Sequence, residues 1–232
     1  MRQIVLDTET TGLDPATHRI IEIGCVELVN HVPTGRTFHT YLNPERASDV
    51  RAFEVHKLSD DFLKAQPYFR DKADEFLDFI AGDQLVIHNA EFDMGFVNWE
   101  MKRIARETLL MSRVIDTISI ARQKYPGAQA SLDALCRRFE IDLSIRAARH
   151  GALIDAGLLA RVYLELIGGS QPGLDFALSG ARSAAILMPR AKTPAAIRPP
   201  RRDLPGAAPS AHEIALHDKF LGKIKDPIWR KQ

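Results

Sequence analysis

The chain of 232 residues is 45% hydrophobic and 26% charged, enough apolar material for one sizeable core. No apolar run approaches the roughly 20 residues of a membrane-spanning helix, and the opening MRQIVLDTETTG turns acidic too soon for a secretory signal, so neither is expected. The net charge of +1 hides two unlike parts: residues 1–168 hold 20 Lys and Arg against 25 Asp and Glu, net −5, and residues 169–232 hold 11 against 5, net +6.

In chain order, residues 2–8 (RQIVLDT) read as a short apolar strand, and 19–29 (RIIEIGCVELV) alternate as a second. A third strand, 36–43, is expected after the turn Pro33-Thr34-Gly35. Ser59 suits the N-cap of a short helix, and Pro67 the first turn of another over 67–80. That helix would place Phe69, Ala73, Phe76, Leu77 and Ile80 on one face. Residues 85–88 (LVIH) read as a buried strand, Asn89 as the cap of a helix over 90–105, and 113–116 as a short strand. Ser131 caps a helix at 132–139, and a last helix runs over 152–167 to Gly168-Gly169. Three strands followed by helices alternating with short strands predict a mixed α/β sandwich. Cys25 and Cys136 each lie in an apolar periodic segment, which points to reduced core thiols in a cytoplasm rather than a disulfide scaffold.

The tail is of another kind. Eight of the 13 prolines lie in 169–232, six of them in 188–210, a segment with few large apolar groups. It cannot offset its ordering entropy and is expected to be a flexible or polyproline-like linker. Helical spacing returns at Ile214, Leu216, Phe220 and Leu221.

The acids carry the chemistry. Asp7 and Glu9 are two apart, so a strand would point both to one face. Either a positive group sits between them or the strand ends early and both are solvated. Asp93 follows Asn89 by four residues beside Phe92, Phe96 and Val97. It is either a dipole-stabilised acid of the first turn, a role Glu91 could fill, or a site residue. Asp155 interrupts an apolar helix (Leu153, Ile154, Leu158, Leu159), which is unusual for an acid that is neither paired nor metal-bound. His150 precedes that helix and Gly151, and would reach the same place from the loop. Four carboxylates suit hard divalent ions, Mg²⁺ or Mn²⁺. Two such ions about 3.5–4 Å apart can stabilise the attacking and leaving oxygens of a phosphoryl displacement, with a histidine taking the proton of water.

The segments LDTETTG, HNAEFDMGF and HGALIDA, in that order, resemble the three motifs of the DEDD family of 3′–5′ exonucleases, histidine subtype. The similarity is greatest to the proofreading members that serve bacterial DNA polymerase III. It covers residues 2–168 nearly continuously, fades in the tail and returns faintly at Trp229. The resemblance implies a ribonuclease-H-like mixed sheet flanked by helices, followed by a largely flexible C-terminal tail. It implies two-metal hydrolysis of the 3′-terminal phosphodiester of DNA, releasing nucleoside 5′-monophosphates. Asp7 would bridge both ions, Glu9 and Asp155 would bind the water-activating ion, Asp93 would serve the second, and His150 would be the general base. Thr10, His56, His88 and Phe92 would line the groove for the terminal nucleotides, although His88 reads equally well as a core histidine bonded to backbone.

The implied partners are a single-stranded or frayed DNA 3′ end, the polymerase III alpha subunit and the sliding clamp, with room for a small additional core subunit and no role for a membrane. QPGLDF (171–176) fits a clamp-docking pattern through Gln171, Leu174 and Phe176, unless the two apolar residues pack back on the exonuclease domain. Arg198, Arg201 and Arg202 read either as a solvated linker or as transient DNA contacts. The expected organisation is an exonuclease domain at 1–168, a linker at 169–210 and a polymerase-binding segment at 211–232 anchored by Trp229, in a bacterial, cytoplasmic, nucleoid-associated replisome. A free-standing RNase or repair exonuclease of the same family, or an adaptor bridging clamp and polymerase, is the competing expectation.

Overall fold

A computed structural model describes residues 1–146, 150–168 and 210–223, in two units, Met1–Ala177 and Leu178–Gln232. In the first unit, β1 (Arg2–Thr10), β2 (Ile20–Val29) and β3 (Val32–Tyr41) form an antiparallel meander. Asn30 and His31, both left-handed at φ 50° and 63°, make the tight connection between β2 and β3, a backbone whose twist suits a two-residue hairpin. β4 (Gln84–Ile87) pairs parallel with β1, and β5 (Val114–Asp116) parallel with β4, giving the order β3-β2-β1-β4-β5. Helices α1 (Val50–His56), α2 (Asp60–Lys64), α3 (Phe69–Ile80), α4 (Ala90–Arg103), α5 (Thr117–Lys124), α6 (Leu132–Arg138) and α7 (Ala152–Ile167) complete the unit. This is the ribonuclease-H-like mixed sheet flanked by helices.

Strand alternation splits the core in two. Ile4 and Leu6 of β1 point to one face, where they pack with Phe76 and Ile80 of α3 and Phe96 and Val97 of α4. Val5 points to the other, where it meets Leu135 of α6 and Leu159 and Val162 of α7. Each fully buried side chain of this size contributes about 1.5–3 kcal/mol. Cys25 lies in the first cluster and Cys136 in the second, both buried and both free.

Several boundaries differ from the sequence expectation, each for a local reason. β1 runs two residues further, through Glu9 and Thr10, because β2 continues to pair with it there. β3 begins at Val32 and takes in Pro33–Gly35, the ladder with β2 shifting register between Val26 and Leu28. α3 starts at Phe69 rather than Pro67, where the Asp71 carboxylate accepts the Tyr68 N–H at 3.0 Å. Asn89 stands at the N-cap of α4 but makes no side-chain cap; it is left-handed at φ 66°. The Asp116 carboxylate accepts the Asn89 N–H at 3.2 Å instead. Ser59 and Ser131 do cap, accepting the N–H groups of Phe62 and Ala134. Two helices, α1 and α5, have no counterpart in the sequence reading.

In the second unit, α8 (Ala211–Leu221) is closed by a capping box between Ser210 and Glu213, and Ile214, Leu216 and Phe220 are exposed. No helix of the described residues is long and apolar enough to cross a membrane.

Candidate active site

The acids meet at the carboxyl end of β1. Because β1 stays extended through Thr10, Asp7 and Glu9 share the Val5 face, toward α7, while Thr8 points the other way, toward α4. Asp7 lies opposite Gly24 of β2, and Glu9 opposite Glu22. The glycine is required there: a Cβ at position 24 would stand 2.2 Å from the Leu153 nitrogen and 2.3 Å from the Ala152 carbonyl carbon. Its absence lets the first turn of α7 lie against the strand, which brings Asp155 to β1. Gly151 heads that helix without a side-chain cap, and Asp155, 4% exposed, closes its first turn by an N–H bond to the Gly151 carbonyl.

Asp93 arrives from α4 on the opposite face. Its Oδ1 accepts both the Thr8 N–H, at 3.0 Å, and the Thr8 hydroxyl, at 2.7 Å. Thr8 therefore ties the first turn of α4 to β1 beside Asp7. His150 reaches in from the loop before α7. Glu9, His150 and Asp155 each present a ligating atom, all within 4.8 Å of one another.

The electrostatics fit a cation site. Burial, then the neighbouring Asp93, Glu9 and Asp155, holds the Asp7 carboxyl well above the usual range. Burial followed by Asp155 and Glu22 pushes Glu9 up to about 8. Burial pushes Asp93 up to about 7 against the opposing bonds from Thr8. Asp155 is also raised, burial outweighing the neighbouring Arg146. Hard oxygen donors crowded to this degree call for positive charge, which divalent ions supply.

A groove of about 570 Å³ opens beside these acids, lined by Glu9 and Thr10 of β1, by Gly12 and Leu13, by Arg51, Ala52 and His56 of α1, and by Phe92 of α4. Of the four residues expected to hold nucleotides, Thr10, His56 and Phe92 lie here and His88 does not. Thr10 donates its hydroxyl to the Gly12 carbonyl, fixing the loop, and Phe92 packs on Phe96 with centroids 5.0 Å apart. His56 Nδ1 accepts the Leu58 N–H, so its buried Nε2 carries the hydrogen and has no acceptor within the protein. Burial lowers its pKa and keeps the ring neutral. His88 is engaged instead at Nδ1 with the Thr117 hydroxyl, at 2.8 Å. Gln171, Leu174, Phe176 and Trp229 lie outside the described residues.

Besides Gly24, four contributors escaped the sequence reading. Thr8 was legible in part, since a hydroxyl between two acids on a strand must face away from them. Asp116, Glu22 and Arg146 gave no signal. Glu22 lies beside Glu9, its Oε1 2.7 Å from His39 Nε2, through strand register alone. Arg146, at the end of a 3₁₀ turn Ser144–Arg146, puts its guanidinium on Asp155 and His150.

Residues 4–163 match the family described as Exonuclease (RNase_T). The DNA polymerase III subunit epsilon of Rickettsia felis is 53% identical over 175 residues, 74% of this chain and 76% of that protein. The subunit of the same name from Escherichia coli K12 is 51% identical over 187 residues, 77% and 76% of the two chains. Among solved structures, the nuclease domain of 3′hExo, a DEDDh family member bound to rAMP, superposes with a TM-score of 0.62 at 19% identity, over 72% of this chain and 91% of that one. Exonuclease X in complex with 5′-overhanging duplex DNA gives 0.57 at 23%, over 71% and 90%.

Proposed function

The chain belongs to the Exonuclease family, and from that premise we propose that it is the proofreading 3′–5′ exonuclease of a bacterial DNA polymerase III core. The family is divalent-metal dependent. In our reading Asp7, Glu9, Asp93 and Asp155 would hold two such ions, Mg²⁺ or Mn²⁺. When bound, they supply positive charge to the phosphodiester and its attacking and leaving oxygens. His150 takes the proton from the attacking water, and Glu9 and Asp155 fix where that water is presented. Thr10, His56 and Phe92 seat the terminal nucleotide, Phe92 by stacking and His56 by donating from Nε2. The observation that carries the reading is the gathering of acids from β1, α4 and α7 beside a groove of about 570 Å³.

Selectivity for errors needs no reading of bases. The groove takes a strand end only when it is out of the duplex, and unpairing is least costly at a mismatch. The DNA polymerase III alpha subunit would be bound through 211–232, with Trp229 as the anchor. The sliding clamp would be bound through Gln171, Leu174 and Phe176. Residues 1–168 would then form the exonuclease domain, and 169–210 a linker in a cytoplasmic replisome. The exposed Ile214, Leu216 and Phe220 of α8 suit a helix laid into a partner's groove.

The test is a nuclease assay on matched and mismatched 3′ ends with and without Mg²⁺, on the wild type and Asp7→Ala. Faster removal of mismatched ends, dependent on Mg²⁺ and abolished in a folded Asp7→Ala chain, is expected. Undiminished hydrolysis by that variant would sink the metal assignment, and a preference for RNA would favour a free-standing RNase.

A further inference from the structure

Arg146 stands where a cation site would not ordinarily keep an arginine. Its Nη2 donates to Asp155 Oδ2 at 2.8 Å and lies 2.6 Å from His150 Nδ1, while its Nε lies 2.7 Å from Asp155 Oδ1. Nη1 pairs with Asp133 of α6. The side chain is 13% exposed, and among the described residues no other Arg or Lys pairs with any of the four acids. The guanidinium thus lies on Asp155, bonded to Oδ2 and in contact with Oδ1, and on the δ nitrogen of His150, two of the three groups, Glu9 being the third, that could together ligate an ion. A guanidinium on those atoms and an ion ligated by them exclude one another.

We propose that Arg146 is a built-in counter-ion that holds the carboxylate centre together without metal and must release Asp155 before a divalent cation can bind, so that it sets the cation affinity of the site. The inference rests on the reading of the four acids as a cation cage. One positive charge offsets part of the cost of burying Asp155 beside its neighbours, and a divalent ion offsets more. Release is feasible because the guanidinium has an outer partner. Asp133, 42% exposed, retains Nη1 at the mouth of the site when the inner contacts break. Arg146 also ties the free state of His150 to that of Asp155, since one guanidinium nitrogen touches both. Metal entry would therefore free the base and the ligand together.

The experiment is a calorimetric titration of the full chain with Mn²⁺ in the absence of DNA, for wild type, Arg146→Gln and Asp133→Asn, paired with thermal melts in chelator and in saturating Mn²⁺. Arg146→Gln should bind Mn²⁺ about fivefold tighter or more, the size of an ordinary coupling between two sites. It should melt below wild type in chelator and level with it in Mn²⁺. Asp133→Asn, which leaves Arg146 only its inner partners, should bind Mn²⁺ more weakly. Unchanged or weaker affinity in Arg146→Gln overturns the counter-ion role and would suit an arginine that only grips substrate phosphate. Should Arg146→Gln fail to fold, unchanged affinity in Asp133→Asn overturns it equally. A wild-type chain that takes up no Mn²⁺ overturns the cation cage and the counter-ion with it.

Discussion

Glu9 titrates near 8 and Asp93 near 7 in the folded chain, whereas unfolded carboxyls of these types titrate near 4. The folded state therefore binds more protons than the unfolded state across neutral pH. Stability from this source is fully present below about pH 4 and is lost as pH rises through 7 to 8. In chelator, the melting temperature should fall between pH 6 and pH 9, and Glu9→Gln should flatten the fall. Saturating Mg²⁺ should remove it, since the ion favours the charged carboxylates. An equal slope in wild type and Glu9→Gln would contradict the assigned crowding. The role proposed for His150 is tested by rate. As general base it should lower kcat by roughly 10²–10⁴ on change to glutamine, with KM little altered; steady-state kinetics showing a change in KM alone would move His150 from base to binding residue.

At the scale of elements, the position of α7 decides whether Asp155 and His150 reach β1, and Gly24 decides the position of α7. Gly24→Ala would place a methyl group against backbone that cannot rotate away. The cost should be about 3 kcal/mol or more, at the upper end of overpacking effects. Hydrolysis should fall further than stability does, because the displaced turn carries Asp155 and follows His150, the ligand and base proposed above. Denaturant melts and single-turnover rates on one preparation would check both; a variant as active and as stable as wild type would show that the close approach is not needed. Nothing in IIEIGCVEL announces this glycine, whose meaning depends on a helix some 130 residues away. The strand β1 was legible as a short apolar run, β2 by alternation and α3 by an apolar stripe, while α4 and α7 were legible from their ends, Asn89 before one and Gly168 after the other. The helix α1 was not, since seven residues with only His56 buried leave no stripe to read. Nor was α5, where Thr117, Ile118, Ser119 and Ile120 alternate as a strand would while Asp116, closing β5, caps a helix by accepting the Ile118 and Ser119 N–H groups. The acids of the site were legible for a different reason. Asp155 is a charge in an apolar helix, and Asp7 and Glu9 share one face of a strand, patterns visible in the sequence, whereas Arg146 lies in a turn and becomes notable only once α7 is folded beside it.

For the whole molecule the charge asymmetry becomes a statement about binding. The first 168 residues carry net −5, and the groove beside Asp7 and Glu9 offers Arg51 as its one basic lining residue among those described. A protein that neutralises few phosphates releases few counterions, so its affinity for DNA should be low and only weakly dependent on salt. A replicative partner would solve this by tethering: held near a primer end, the nuclease meets its substrate at millimolar effective concentration without any new contact to DNA. Adding the polymerase III alpha subunit should therefore lower KM for a mismatched 3′ end by about 10²-fold or more, within the range that linkage of two modules provides. The kcat should stay within a few-fold, because the acids and His150 all come from this chain. A variant truncated after residue 210 should keep the free-chain KM and kcat and lose the gain from the polymerase. If alpha raised kcat and left KM untouched, the partner would be completing the active site rather than delivering it. Residues 211–232 would then serve to transmit a conformational change rather than to tether.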